Sequence, residues 1–428
     1  MKAMIRAARW LLLVLALAGC ADMSRLNAVP ADAKEDATVL GMKDVRFWGD
    51  EASAKLVDAA LDAYRRELNL HQASGSTGPL PTADYLAISG GGENGAYGAG
   101  LLCGWTATGT RPNFKLVTGI STGALTAPFA FLGPAYDARL KEVYTTLSAR
   151  DVMQPRGYLA VVLQDAIADN TPLRQTVKRY FDQAMMEAIA AEYAKGRILL
   201  VATTNLDARR PVIWDITKIA ASGNPRALEL IHDVLIASAA IPGAFPPVMI
   251  DVEIDGKKYE EMHVDGGASA QVFVYPPSLD LDNAKFNGRR IERDRRVYVI
   301  RNARLDPDWA EVERNTFSIL GRTVTSLIQT QGVGDLYRIY ASTQRDDIDF
   351  NLAYIPSTFK RQLKEPFETA YMRELFELGY ESAVHGYDWA KTPPGFAAPQ
   401  VEPPAQTQPV EVPKKTSGAA PRRRKAAA

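Results

Sequence analysis

The sequence predicts an α/β protein, a three-layer α/β/α sandwich with a mostly parallel central sheet. Short apolar runs, among them Tyr85-Leu86-Ala87-Ile88, Ile198 to Val201 and Val297-Tyr298-Val299-Ile300, have the length and β-branched content of strands buried on both faces. Segments with helical spacing alternate with them, as in βα units. Two glycine-rich turns, at Gly90 to Gly95 and Gly119 to Gly123, each lead from a strand into a helix.

Before that domain the chain begins with Lys2, Arg6 and Arg9 and an apolar run from Trp10 to Ala18. A basic start and an apolar run too short for a stable span read as a signal peptide over residues 1–19. Its end, Leu17-Ala18-Gly19-Cys20, resembles a bacterial lipobox. That resemblance implies cleavage before Cys20, lipidation of Cys20 and membrane anchoring. With Ala21 after the cysteine, it implies sorting to the outer membrane of the bacterial envelope. Residues 20–50 are polar and alanine-rich without a sustained period, and read as a tether. Residues 51–83 hold an amphipathic helix, with Leu56, Ala60, Leu61, Tyr64 and Leu68 at helical spacing, and a linker.

The main domain is expected over residues 84–390. Strand Tyr85 to Ser89 enters the Gly90-Gly91-Gly92-Glu93-Asn94-Gly95 loop and a helix through Trp105. Strand Phe114 to Thr118 enters the second glycine turn, and helical segments continue to about Ala194. Arg197 to Thr204 is an apolar strand with Pro211 to Asp215 as its hairpin partner. Asp255-Gly256 breaks Val252 to His263 into a second hairpin. Phe317 to Tyr340 and Glu368 to Trp389 are helical. Residues 391–428 are proline-rich, read as a disordered tail, and end in Arg422-Arg423-Arg424-Lys425.

Hydrophobic content of 46% and charged content of 23% are those of a globular protein, and a formal net charge of +0 gives no basic field for nucleic acid. Cysteines are limited to Cys20 and Cys103, so lipidation of Cys20 leaves Cys103 without an intrachain partner; it reads as a small core residue. Only four histidines are present, which restricts imidazole chemistry.

Gly119-Ile120-Ser121-Thr122-Gly123 matches the nucleophile elbow, a tight strand-to-helix turn that exposes a serine hydroxyl. Gly90, Gly92 and Gly95 also satisfy a dinucleotide-binding spacing, but the next strand ends without the acidic residue that would hold a ribose. The same clustered amides suit an oxyanion hole opposite Ser121. A serine needs a base. One arrangement is a triad with His385, the one histidine that follows Asp265; His263 precedes Asp265 and reads as a strand residue. The other is a direct pair with Asp265 in Asp265-Gly266-Gly267.

Four blocks stand in order: Ser89 to Ala96, Gly119 to Gly123, Ala237 to Pro247, and Asp265-Gly266-Gly267. Together they resemble the patatin-like phospholipase family over about residue 84 to the 380s. The resemblance implies a Ser–Asp dyad, with Ser121 as nucleophile and Asp265 as proton acceptor, an oxyanion hole from Gly90, Gly91 and Gly92, and neither metal nor cofactor. It implies a lipid or ester substrate and a serine acyl-ester hydrolase, whether phospholipase A, lysophospholipase or lipid esterase. An acyltransferase with the same dyad and a non-catalytic lipid-anchored scaffold are the alternatives. The family usually carries Arg or Lys where this chain has Asn94, which bears on the choice of headgroup.

Overall fold

The apolar runs become strands of one sheet in the computed structural model, which describes residues 25–156 and 165–396. β1 (Arg46–Trp48) precedes α1 (Ala54–Ala73), β2 (Ala83–Ile88), α2 (Gly95–Ala107), β3 (Leu116–Ile120) and α3 (Thr122–Leu132). Then come α4 (Asp137–Thr146), α5 (Thr171–Tyr180), α6 (Gln183–Ala194), β4 (Ile198–Asn205), β5 (Arg210–Asp215) and α7 (Ala227–Ser238). The hairpin β6 (Val248–Ile254) and β7 (Lys257–Asp265) follows, then β8 (Arg295–Arg301), α8 (Thr316–Arg345), β9 (Asp349–Tyr354) and α9 (Thr369–Val384).

Strand order is β1-β5-β4-β3-β2-β8-β9, with β7 also on β4 and β6 on β7. The run β4-β3-β2-β8-β9 is parallel, and β1, β5, β6 and β7 are added antiparallel. Side chains alternate between two apolar layers, as a sheet covered on both faces requires. Leu86, Ile88, Val117, Tyr298 and Ile300 face the larger cluster with α2, α3, α7 and α9, while Ala87, Leu116, Val297 and Val299 face Leu336 and Ile339 of α8. The β6–β7 turn is made by Asp255 and Gly256, both with positive φ (50° and 77°), the geometry that matches the twist of a tight hairpin.

One edge of β4 carries two strands in succession. β3 pairs with Ile198 to Ala202, and β7 arrives antiparallel on Thr203 to Asn205. Both lie on the edge opposite β5, since β5 pairs with residues of β4 in both stretches. The strands therefore end facing one another, Ile120 opposite Ala202 and Asp265 opposite Thr203.

The stretch expected as a tether over residues 20–50 is corrected by the structure from residue 25 onward. Arg25 pairs with Asp207 at 2.8 Å and donates to the Glu260 carbonyl at 2.9 Å. Thr38 exchanges two backbone hydrogen bonds with Glu253, and Val39 and Val45 are buried. β1 extends the sheet beyond β5, with Arg46 opposite Trp214. A three-residue strand is too short to show a period, and its stability comes from cross-strand contacts rather than local pattern. Residues 25–394 thus belong to one compact unit, which includes the amphipathic helix now seen as α1. The expected signal peptide, Cys20 and nearly all of the expected C-terminal tail lie outside the described residues; Lys391, at the start of that tail, pairs with Asp349 at 2.8 Å.

Arg46 reaches across to Glu261 of β7, which also touches His263 Nε2 at 3.1 Å. Burial alone would raise the Glu261 pKa, but the Arg46 charge and the His263 hydrogen bond outweigh it and hold the carboxyl at about 2. Replacing Arg46 by Ala strands a buried carboxylate and is expected to cost about 3–5 kcal/mol at neutral pH in urea unfolding. Because the folded pKa is depressed, the wild-type contribution is present above pH 4.5 and fades as pH falls towards 2. The gap between Arg46→Ala and wild type should narrow over that window; an unchanged gap would assign the loss to packing alone.

Candidate active site

Ser121 occupies the sharp turn between β3 and α3. Its backbone, at φ 55° and ψ −126°, is strained for a residue with a side chain. The glycines on either side make the turn possible. A Cβ at Gly119 would lie 2.4 Å from the Gly123 carbonyl oxygen, and one at Gly123 would lie 2.2 Å from that of Ile88. The Ser121 amide donates to Ser238 Oγ at 3.0 Å, and that hydroxyl donates to the Ala202 carbonyl at 2.7 Å. Ser238, at the end of α7, thereby ties the elbow to β4.

Asp265 ends β7, and its position follows from the pairing on β4. Its amide donates to the carbonyl of Ala240, two residues after α7, at 2.9 Å. Carboxylate Oδ1 accepts from the Gly267 amide at 2.7 Å. Oδ2 is buried without a full hydrogen bond, and the Ser121 hydroxyl is near enough to act on the carboxyl's ionisation. Burial pushes Asp265 up to about 7; the Gly267 amide and the Ser121 hydroxyl pull it back part of the way. No cation among the described residues contributes to that balance.

The Gly90 loop faces the same spot. A Cβ on Gly90 would lie 3.2 Å from the Ser121 Cβ, and one on Gly91 would lie 2.3 Å from the Asn302 carbonyl oxygen. Asn302 clamps the loop: its amide donates to Ser89 Oγ at 2.8 Å, its side chain donates to the Ser89 carbonyl at 3.0 Å, and it accepts from the Gly98 amide at 3.1 Å. Of the three glycines expected to form the oxyanion hole, Gly90 has its N–H engaged, donating to the Gln271 carbonyl at 3.0 Å. The amides of Gly91 and Gly92 have no acceptor among the described residues. Asn94 Oδ1 accepts from the Tyr371 hydroxyl at 2.7 Å, so this position braces the loop against α9.

A cavity of about 100 Å³ opens beside Ser121, lined chiefly by apolar side chains including Leu125, Phe129, Leu147, Leu173, Val177, Phe181 and Leu235. Much of this lining comes from the helices between α3 and α6. Glu93 also lines it, its carboxyl pushed up by burial.

The histidines lie elsewhere. His263 is buried in β7 between Thr203 Oγ1 at 2.9 Å and Glu261. His385 caps α9 with its side chain 77% exposed and Nδ1 against the Glu381 carbonyl. No histidine lines the cavity among the described residues, and no group of three or more His, Cys, Asp or Glu there could hold a metal ion. Cys103 is buried in α2. Sequence reasoning missed Ser238, Gln271 and Asn302. Ser238 had a weak signal as a polar residue in a run of small apolar ones; the other two bond backbone groups distant in sequence and had none.

The raised Asp265 pKa sets a sign for stability. Native Asp265 keeps its proton to about pH 7, whereas the unfolded chain releases it near 3.8. Its contribution is fully present below pH 3.8 and is lost as pH rises through 7, by up to about 4 kcal/mol. Asp265→Asn removes that titration, so its stability relative to wild type should climb between pH 4 and 7 in denaturant titrations. A flat difference would contradict the buried, unpaired carboxylate.

The family model described as patatin-like phospholipase matches residues 86–276. No curated protein matches the sequence. Among solved structures, VipD from Legionella pneumophila is similar at 12% identity and a TM-score of 0.34, over 72% of this chain and 67% of that one. The human GIVD cytosolic phospholipase A2 is similar at 11% identity and a TM-score of 0.31, over 74% of this chain and 56% of that one. ExoU from Pseudomonas aeruginosa, solved full-length with SpcU, is similar at 11% identity and a TM-score of 0.27, over 72% of this chain and 52% of that one. The chain therefore spans about two thirds of the first and little more than half of the other two. The family model thus assigns residues 86–276 as a patatin-like phospholipase domain, a span that runs from β2 past the end of β7 and includes both glycine turns and Asp265.

Proposed function

We propose that the protein is a serine acyl-ester hydrolase acting on lipids, with Ser121 as nucleophile and Asp265 as its base. The match of residues 86–276 to the patatin-like phospholipase model supports lipid acyl hydrolysis. The observation that carries the finer reading is the Asp265 carboxylate, buried, without a cation and with one oxygen unpartnered, beside a serine on a strained turn. In this mechanism Ser121 Oγ attacks the ester carbonyl carbon as its proton passes to Asp265 Oδ2. The carbonyl oxygen takes the negative charge and receives the amides of Gly91 and Gly92, while Gly90 holds the loop's shape. Collapse breaks the bond to the leaving alcohol, which takes the proton from Asp265. Water then gives a proton to Asp265 and attacks the acyl-serine, and the returning proton frees Ser121. A carboxylic acid with a pKa of about 7 suits both directions of transfer near neutral pH. The apolar cavity takes the acyl chain. Anchoring to the outer membrane through lipidated Cys20 is part of this proposal, supported by the Leu17-Ala18-Gly19-Cys20 pattern.

Ser121→Ala and Asp265→Ala should each abolish fluorophosphonate labelling and ester turnover, while His385→Ala stays active. An active Asp265→Ala with a dead His385→Ala would replace the dyad by a triad. Wild-type kcat/KM should rise with pH up to about 7 and then level off, because the base works deprotonated.

Filling the cavity tests the acyl assignment. Val177→Trp should lower kcat/KM for p-nitrophenyl palmitate roughly 10–100-fold and leave the acetate ester nearly unchanged. Equal losses for both esters would place the acyl chain elsewhere. A panel of phospholipid, lysophospholipid and short esters fixes the substrate class.

A further inference from the structure

α8 is longer than the sheet it covers. Its C-terminal part packs Leu336 and Ile339 on the core, and the chain then enters β9 at the end of the parallel sheet opposite the Ser121 turn. Gly332 lies against the Arg301 guanidinium at the end of β8, and Gln331 Oε1 accepts from Gln271 at 3.1 Å, level with the glycine loop. The residues before this point, Thr316 to Gln331, continue past the active-site edge for about 24 Å at 1.5 Å per residue.

No residue from Ser318 to Gln331 is buried. At 100° per residue, Ile319, Leu320, Val324 and Leu327 fall within an arc of about 140°. All four are exposed, Leu327 by 64%. The opposite side is tied down: Arg322 pairs with Asp308 at 3.2 Å, and Gln329 donates to the Arg304 carbonyl at 2.9 Å. That loop also presents Trp309, 88% exposed, and Val312.

We propose that this apolar face, with Trp309, docks onto a lipid surface of zwitterionic headgroups and brings the Ser121 edge to the membrane. Three observations select this occupant. The projection stands at the end of the sheet where the cavity and Ser121 lie. Arg322 is the sole charge from Thr316 to Gly334 and pairs with Asp308, while in the adjoining loop Arg304 pairs with Asp306 and Arg314 stands beside Glu311 and Glu313; the surface suits apolar insertion and lacks the basic excess that would favour anionic headgroups. Six side chains are also far short of the roughly 20–30 residues a side of a stable protein interface, yet an exposed tryptophan beside an aliphatic helix face is suited to the headgroup boundary. No helix among the described residues is long and apolar enough to cross a membrane.

The test uses the full chain carrying Cys20→Ser and Ser121→Ala, so that neither lipidation nor turnover contributes. Cosedimentation with phosphatidylcholine vesicles is compared with that of the same chain bearing Leu320→Ser, Val324→Ser and Leu327→Ser. The changed positions are exposed, and an unaltered melting temperature checks the fold; Trp309→Ala is the second variant. Vesicle affinity should fall roughly tenfold or more in the triple variant and measurably in Trp309→Ala, and should change little between low and high salt. Equal binding by all three proteins overturns the proposal, as does binding that requires phosphatidylglycerol and disappears in salt. A dimer that dissociates in the triple variant assigns the face to a second copy instead. With Ser121 intact, turnover of short soluble esters should be the same with and without the triple substitution, which separates failure of docking from failure of the hydrolase assignment.

Discussion

The site depends on two strands sharing one edge of β4. β3 runs parallel along Ile198 to Ala202, and β7 runs antiparallel into the next rungs. Neither strand alone sets the distance between Ser121 and Asp265. Their common partner does, because backbone pairing fixes both ends to neighbouring residues of the same strand. Gly266 marks how close the junction is: a Cβ there would lie 2.5 Å from the Ala202 carbonyl oxygen and 3.1 Å from the Ile120 side chain. α7 reinforces the arrangement from one face, through Ser238 to the Ser121 amide and through Ala240 to the Asp265 amide. The Ala237 to Pro247 block thus supplies structure to both halves of the site.

β7 carries two buried carboxylates four residues apart whose acidities move in opposite directions. Glu261 is held at about 2 and Asp265 is pushed up to about 7. Burial raises both, so the difference lies in their partners. Glu261 faces the Arg46 guanidinium supplied by β1, whereas Asp265 has an amide, a hydroxyl and no positive charge. The N-terminal segment therefore settles one carboxylate into a structural ion pair and leaves the other with its unfavourable desolvation only partly relieved. That contrast is what makes Asp265 suited to exchanging a proton near neutral pH.

The parallel core was legible because apolar strands of several residues and glycine turns leave local patterns. The Ser121 elbow and Asp265-Gly266-Gly267 could be read because close backbone approach demands glycine at fixed positions. β1 was not legible: Arg46-Phe47-Trp48 is too short for a period, and its register depends on β5, more than a hundred and fifty residues away. β9 was missed for a similar reason, since Asp349-Phe350-Asn351 begins with alternating polar residues although Asn351 is buried and bonded to the Val297 carbonyl. The occupied amide of Gly90 could not be foreseen either, because its acceptor is the backbone of Gln271 and a backbone acceptor carries no residue signature.

Asn94 changes how charge is handled around the glycine loop. Its side chain accepts from Tyr371 and joins the loop to α9, a bracing role that needs no cation. The charged group lining the cavity is instead Glu93, and burial opposes its ionisation. On the proposed mechanism, a developing oxyanion would then be met by the Gly91 and Gly92 amides with no lysine or arginine side chain from the cavity wall. Amides fixed in an apolar setting can carry that role, because their dipoles are already oriented and little water competes for them. The close contact of Gly91 with Asn302 and the Asn302 clamp on Ser89 and Gly98 hold that orientation. On that mechanism rigidity of the loop stands in for charge, and Asn302 and Tyr371 are the positions on which the geometry of the proposed oxyanion site rests.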